Sequence, residues 1–492
     1  MRHPLFGGLT SANSILSHTI KFRIGVLAGF VSLLTACVEG PGGLGRRINA
    51  TAYPVPDVSL LSGRSLLPPG PALPGHDPSH DEVSSAWQSE VFWSELAELR
   101  LSGMRDAARS KAEIGFAEGI ALLAAGEHEK AESAFVVARM QNADVSVAVA
   151  SQMMLANTLA YQHKWMALSK LADSSRMAIA DLPTTASLEH WGRAFANVAG
   201  TVTTFPGKAV TVPLRLTALG TPTIRVRING KDYYFWVDTG SSITVLSSDV
   251  AKDASVSLIS NDTLTVRAFA GTATVRPAVV KRLEIGSIRI ANSPAVVMQA
   301  SLMRIRGNAP GVPPAGVPID GIIGWDIIRQ FDMSMDFARR IFTIAQPEML
   351  GTSGTASQNL TWLGKPYVEL RTKGGATLHF TLDTGAQASL MNAAVLEKTD
   401  LTARKSKAQV FGIAGTGTET ERVVSSLEFD IAGRTFQLTS VVVYGPVYSS
   451  LINCDGVLGI DVAQFGTIRI DATNGLFSVG SHDSQQQLNA AS

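Results

Sequence analysis

One pattern in the chain recurs at an offset of about 145 residues. Phe235-Trp236-Val237-Asp238-Thr239-Gly240 returns as Phe380-Thr381-Leu382-Asp383-Thr384-Gly385, and each copy follows a turn signal, Asn229-Gly230 or Gly374-Gly375. Leu283-Glu284-Ile285 returns as Leu427-Glu428-Phe429. Asp320-Gly321-Ile322-Ile323-Gly324-Trp325-Asp326 returns as Asp455-Gly456-Val457-Leu458-Gly459-Ile460-Asp461. A lone Asp-Thr-Gly arises by chance in about one chain in ten of this length, but two in matched surroundings require duplication of one unit. Alternating apolar and polar residues, as in Thr223 to Ile228 and Val423 to Ile431, make that unit a β structure. The expected lobes span residues 206–346 and 358–482.

Two different segments precede the lobes. Residues 38–81 hold eight Pro and little periodicity, which predicts an extended tether. Residues 82–200 are rich in helix formers, with apolar side chains three and four apart at Phe92, Leu96 and Leu99 and at Phe116, Ile120 and Leu123. Gly119, Ala131, Phe135 and Ala138 resemble a tetratricopeptide repeat, and Ala167 and Leu171 form a weaker copy. A plain helical bundle is the alternative. The expected class is therefore α+β multidomain: a mainly β bilobal unit behind a helical, tetratricopeptide-like domain.

At the N-terminus, Lys21 and Arg23 precede an apolar run too short to span a bilayer of about 30 Å. That run ends in Leu34-Thr35-Ala36-Cys37, which resembles the bacterial lipobox. The resemblance implies a signal over residues 1–37, lipidation of Cys37 and, because Val38 follows, sorting to the outer membrane from the periplasmic side. Ordinary secretion is the alternative. The only other cysteine, Cys454, has no partner for an internal disulfide and reads as a buried small hydrophobe.

The paired motifs resemble the pepsin and retropepsin class of aspartic proteases. In that class each lobe supplies an apolar strand ending in Asp-Thr-Gly, then a Gly-containing flap, then two apolar residues and Gly. The resemblance covers about residues 208–480 and implies two retropepsin-sized lobes in one chain, acting on a polypeptide without a cofactor. Asp238 and Asp383 are the implied catalytic pair. Amide hydrolysis through water needs one group to accept a proton and another to donate one, and two adjacent carboxyl groups that resist ionising together do both. Gly240 and Gly385 allow the two loops to approach. Thr239 and Thr384 are implied to brace them by hydrogen bonds across the lobes. Ser241 follows the first motif where Ala386 follows the second, so its hydroxyl is expected to donate to the neighbouring carboxylate and make Asp238 the more ionised partner. The flap candidates are Phe269 and Gly271 in one lobe and Phe411 and Gly415 in the other; neither flap segment has the Tyr usual in pepsins.

Other chemistries find little support. Net charge is +1, against the local cationic excess that nucleic-acid binding needs. Asp320, Asp326, Asp455 and Asp461 repeat within the duplicated motif and read as turn and cap residues rather than a metal site, and the His residues form no zinc set. No phosphate-cradling Gly-Lys-Ser/Thr and no Gly-x-Ser-x-Gly occur. The leading expectation is a lipid-anchored aspartic endopeptidase whose helical domain holds a partner, positions substrate or covers the cleft. The alternative is a non-catalytic peptide- or partner-binding protein on the same fold.

Overall fold

A computed structural model describes residues 91–141, 145–171, 190–217, 220–260, 263–268, 271–305, 316–347, 358–412, 415–444, 452 and 454–480, with short strands at Val31–Leu33, Cys37–Val38 and Arg46–Arg47 before them. Most of the signal and tether, and the Cys37 side chain, lie outside the described residues.

The helical part begins with the short helices Val91–Ala97 and Leu101–Ala107. Ser110 then starts Lys111–Ala124 with a reciprocal cap: its hydroxyl accepts from Glu113 N at 3.1 Å, and its own N–H donates to the Glu113 carboxylate at 2.8 Å. His128–Met140 folds back on that helix, burying Ala131, Phe135 and Ala138 against Phe116, Gly119 and Ile120. A Cβ on Gly119 would lie 2.5 Å from the Phe135 ring, so the absent side chain lets the aromatic ring fill the groove. Val145–Tyr161 packs on this pair and leads to Trp165–Ser169.

The two lobes have the same sheet order. In the first the hydrogen-bonded order is Val210–Leu216, Pro222–Ile228, Lys231–Val237, Gly321–Ile323, Val245–Ser247, Ile288–Met298, Gly271–Ile285 and Leu264–Ala268. In the second it is Leu360–Trp362, Pro366–Thr372, Thr377–Leu382, Gly456–Leu458, Leu390–Asn392, Arg434–Tyr444, Gly415–Ile431 and Ala403–Gly412. Each sheet curls until its long strand meets an early one, through Leu283↔Ile228 in one lobe and Thr372↔Phe429 in the other. The fold is thus two β lobes behind a helical region, as the duplicated pattern predicts. Asn229 and Gly230 both take positive φ at the turn into Lys231–Val237, the geometry that the Asn-Gly signal favours.

The lobes join through a shared antiparallel sheet. Asp332–Asp336 pairs with Thr467–Asp471, from Met335↔Ile468 to Asp332↔Asp471. Arg469 makes a bidentate bridge across this seam to Asp332, at 2.9 and 2.7 Å. The helical region is not a separate ball: one buried apolar cluster runs from Phe116 and Phe135 to Trp236 and Ile322 of the first lobe and to Leu363, Tyr367 and Cys454 of the second. Polar contacts follow the same route. Lys398 bridges Glu98 at 2.6 Å and Asp455 at 2.9 Å, and Tyr161 stacks on His128 while the Arg329 guanidinium lies over its ring.

Candidate active site

Each Asp-Thr-Gly follows the end of a central strand. Phe235, Trp236 and Val237 run parallel to Gly321, Ile322 and Ile323, and the Asp238 N–H donates to the Ile323 carbonyl at 3.0 Å. Phe380, Thr381 and Leu382 run parallel to Gly456, Val457 and Leu458 in the same way, and Asp383 N donates to the Leu458 carbonyl at 3.0 Å. The apolar residues before each Gly therefore hold the loops from behind, as their sequence position suggests.

The loops meet through two reciprocal pairs of hydrogen bonds. Thr239 N donates to Thr384 Oγ1 at 3.0 Å, and Thr384 N donates to Thr239 Oγ1 at 2.9 Å. Each hydroxyl passes its own proton to a backbone carbonyl of the opposite lobe: Thr239 to Leu382 at 2.9 Å, Thr384 to Val237 at 2.7 Å. All four residues are buried. Close approach needs glycine: a Cβ on Gly385 would stand 2.6 Å from Asp238 Oδ2 and 2.7 Å from Oδ1. The Asp238 carboxylate thus rests on the loop that carries Asp383. Asp238 Oδ1 accepts from Gly240 N at 3.1 Å, and Asp383 Oδ1 accepts from Ala386 N at 2.9 Å. Both aspartates are almost wholly enclosed.

Ser241 corrects the expectation attached to it. Its hydroxyl has one proton, and that proton goes to the Ile243 carbonyl at 2.7 Å, two residues on in the same turn, not to the Asp238 carboxylate. The flap candidates lie on matching hairpins, with Ala268 opposite Gly271 and Gly412 opposite Gly415 at the ends of the ladders. Phe411 pairs through its backbone with Thr416, and Phe269 lies outside the described residues.

The repeated outer aspartates act in turns. Asp320 accepts from Tyr234 N at 2.9 Å, and its counterpart Asp455 accepts from His379 N at 2.8 Å. Asp461 accepts from Ser389 N and Oγ at 2.9 and 2.7 Å, and Asp326 accepts from the Thr244 hydroxyl at 3.2 Å. Burial pushes the Asp326 carboxyl up to about 7 against the Thr244 hydrogen bonds and the Arg329 charge. Cys454 is buried as expected, and its thiol donates to the Gly456 carbonyl at 3.1 Å.

Sequence reading overlooked Lys365, a buried lysine beside the second loop. Aligning the two copies with one extra residue allowed in the second hairpin, so that Pro222 meets Pro366, would have flagged it, since Lys365 enters the strand that pairs with Thr377–Leu382 while Thr221 enters the equivalent strand of the first lobe.

A family model described as aspartyl protease matches residues 224–327 and 368–462, one segment in each lobe and each containing one Asp-Thr-Gly. No curated protein matches the chain.

Proposed function

We propose that the protein is an aspartic endopeptidase in which Asp238 and Asp383 activate a water molecule for attack on a peptide carbonyl. The observation that carries this reading is the exchange of hydrogen bonds between Thr239 and Thr384, which aligns the two aspartate loops head to head. One carboxylate takes a proton from the water as its oxygen bonds to the carbonyl carbon. The other, protonated, carboxyl delivers its proton to the carbonyl oxygen, giving a gem-diol. The newly protonated carboxyl then gives its proton to the nitrogen while the other carboxylate takes one from a gem-diol hydroxyl; the C–N bond breaks to leave a carboxylic acid and an amine, and the pair again holds one proton. Two carboxyl groups this enclosed cannot both ionise cheaply, so a singly protonated pair persists over a wide pH range.

The test uses the full chain, because removing the helical region would expose the cluster that it shares with both lobes. Incubation with an unfolded protein between pH 3 and 8 should give fragments, and Asp238→Asn or Asp383→Asn should each abolish them. Cleavage surviving either change would refute the pair; no cleavage by the parent at any pH would leave peptide binding as the better reading.

We further read the chain as a lipoprotein of the bacterial cell envelope, anchored through Cys37, with the tetratricopeptide-like helical region as a scaffold for substrate or a protein partner. Incorporation of labelled fatty acid that is lost in Cys37→Ser would support the anchor, and unchanged labelling would reject it.

A further inference from the structure

The duplication supplies an internal control for what differs between the lobes. In the second lobe Tyr367 lies opposite Thr381 in the ladder, and continuing that register by two residues sets Lys365 opposite Asp383. In the first lobe Thr223 lies opposite Trp236, and the same step sets Thr221 opposite Asp238. Residues opposite each other in antiparallel strands share a face, so the alternation, carried just past the last paired residues, puts a lysine on the face of one aspartate and a threonine on that of the other. The Thr221 hydroxyl is engaged with Thr217, at 2.6 Å.

Lys365 is 5 % exposed. A lysine that deep is stable only with anionic or strongly polar company. Burial is the larger influence and lowers the pKa of its ammonium on balance, while Cys454 and Asp383 push back toward the charged form. Asp383 acts on it from the facing strand end, and Cys454 from the segment entering Gly456–Leu458. Tyr367 lies on its own strand, and Asp238 reaches the pair from the other lobe. Farther along the same face Glu369 stands opposite His379, with Arg371 bridging Glu369, and beyond them Lys398 bridges both Glu98 and Asp455.

We propose that Lys365 is a positioning residue that sets the protonation of the aspartate pair: it keeps Asp383 ionised, leaves the shared proton on Asp238, and extends the working range of the pair toward acid pH. The assignment reverses the one expected from Ser241, whose proton is committed to a backbone carbonyl. It rests on the proteolytic reading for its consequence, but not for its electrostatics. An opposite charge within about 4–6 Å lowers a carboxyl pKa by about 1–3, so neutralising Lys365 should move the acid limb of activity upward by about one pH unit or more.

Two measurements test this on the full chain. In the first, the pH dependence of kcat/KM is compared for the parent, Lys365→Met and Lys365→Arg. The Met variant should shift both limbs to higher pH and the Arg variant should leave them in place. In the second, which needs no turnover, carboxyl carbons are titrated by NMR in D238N, where Asp383 stands alone, and in D383N, where Asp238 does. Asp383 should titrate at lower pH than Asp238, and adding Lys365→Met should raise Asp383 more than Asp238. Lys365→Gln replaces the Met variant if the latter does not fold. An Asp383 titration unmoved by loss of the cation, or a larger effect on Asp238, would overturn the proposal. A parent that cleaves nothing would count against proteolysis, while the titrations would still decide the role of Lys365.

Discussion

Changing Thr239 or Thr384 to Val keeps the branched shape of the side chain and removes a hydroxyl. In each case the lost Oγ1 makes two buried hydrogen bonds across the lobes, one as donor to a carbonyl and one as acceptor from an N–H. Leaving both partners unsatisfied in a buried site costs about 1–3 kcal/mol apiece, hence about 2–6 kcal/mol for each threonine. Replacement by Ser retains both bonds and loses one methyl group, about 1 kcal/mol. The Arg469–Asp332 bridge spans the same lobe seam and is a useful contrast. The Arg469 side chain is 48 % exposed, so Asp332→Ala should cost no more than about 1 kcal/mol after screening by solvent. Urea unfolding followed by tryptophan fluorescence would read all of these. The expected order is Val far worse than Ser, Ser close to Asp332→Ala, and the two Val variants alike within about 1 kcal/mol because the lobes supply the same bonds. A Val variant within about 0.5 kcal/mol of the parent, or a Ser variant as damaging as Val, would refute the idea that these hydroxyls hold the loops together.

Gly119→Ala places a methyl group 2.5 Å from the Phe135 ring, and the overpacking cost of about 1–3 kcal/mol should outweigh the gain in helix propensity of up to about 1 kcal/mol; a raised Tm would contradict the packing described. At the junction of the helical region with the first lobe two opposed titrations should leave stability nearly level between about pH 4 and 6.5. Asp326 has a folded pKa of about 7, above its unfolded value of 3.8, so the native state holds the extra proton and stability falls as pH rises from about 4 to 7, by up to roughly 4 kcal/mol. His163 behaves oppositely. Burial, helped by Arg329, lowers it from 6.5 to about 3, so stability falls as pH drops below about 6.5. In the parent the two contributions offset each other between about pH 4 and 6.5, so Asp326→Asn should unmask a urea midpoint that rises with pH over that range and His163→Gln one that falls; an Asp326→Asn profile of the same shape as the parent's would exclude that carboxyl as a contributor.

Much of the β architecture was legible because duplication wrote it twice. Strand period, the Asn-Gly turn and the repeated Asp-Gly-apolar-apolar-Gly segments each have a local signature, and two copies turn a weak local signal into a strong one. The bracing role of Thr239 and Thr384 was readable only through family resemblance, because nothing local in Asp-Thr-Gly says that its hydroxyl will meet a carbonyl in the other lobe. The Ser241 proton was misread for the opposite reason. Its acceptor is two residues away, and a hydroxyl in a tight turn finds the nearest backbone carbonyl before a more distant carboxylate. The docking of the helices was out of reach altogether. Glu98 and Lys398 are 300 residues apart, and Tyr161 meets Arg329 at a separation of 168; neither pairing carries any periodic signal.

Duplication also explains where differences between the lobes should matter. Two identical lobes would give both aspartates the same surroundings and the same proton affinity, and the pair would have no fixed acid and base. Positions that only hold the fold have stayed equivalent: the threonines, the apolar residues behind the loops, and Asp320 with Asp455 all make matching bonds. Two departures lie beside the carboxyl groups, at Ser241 against Ala386 and at Thr221 against Lys365. With the Ser241 proton committed elsewhere, only the second departure introduces a full charge. An unsymmetrical peptide bond arrives in one direction, so a pair with one settled acid and one settled base meets it prepared. A single buried lysine on one lobe is enough to make that distinction, and placing it on Thr221 instead should reverse it.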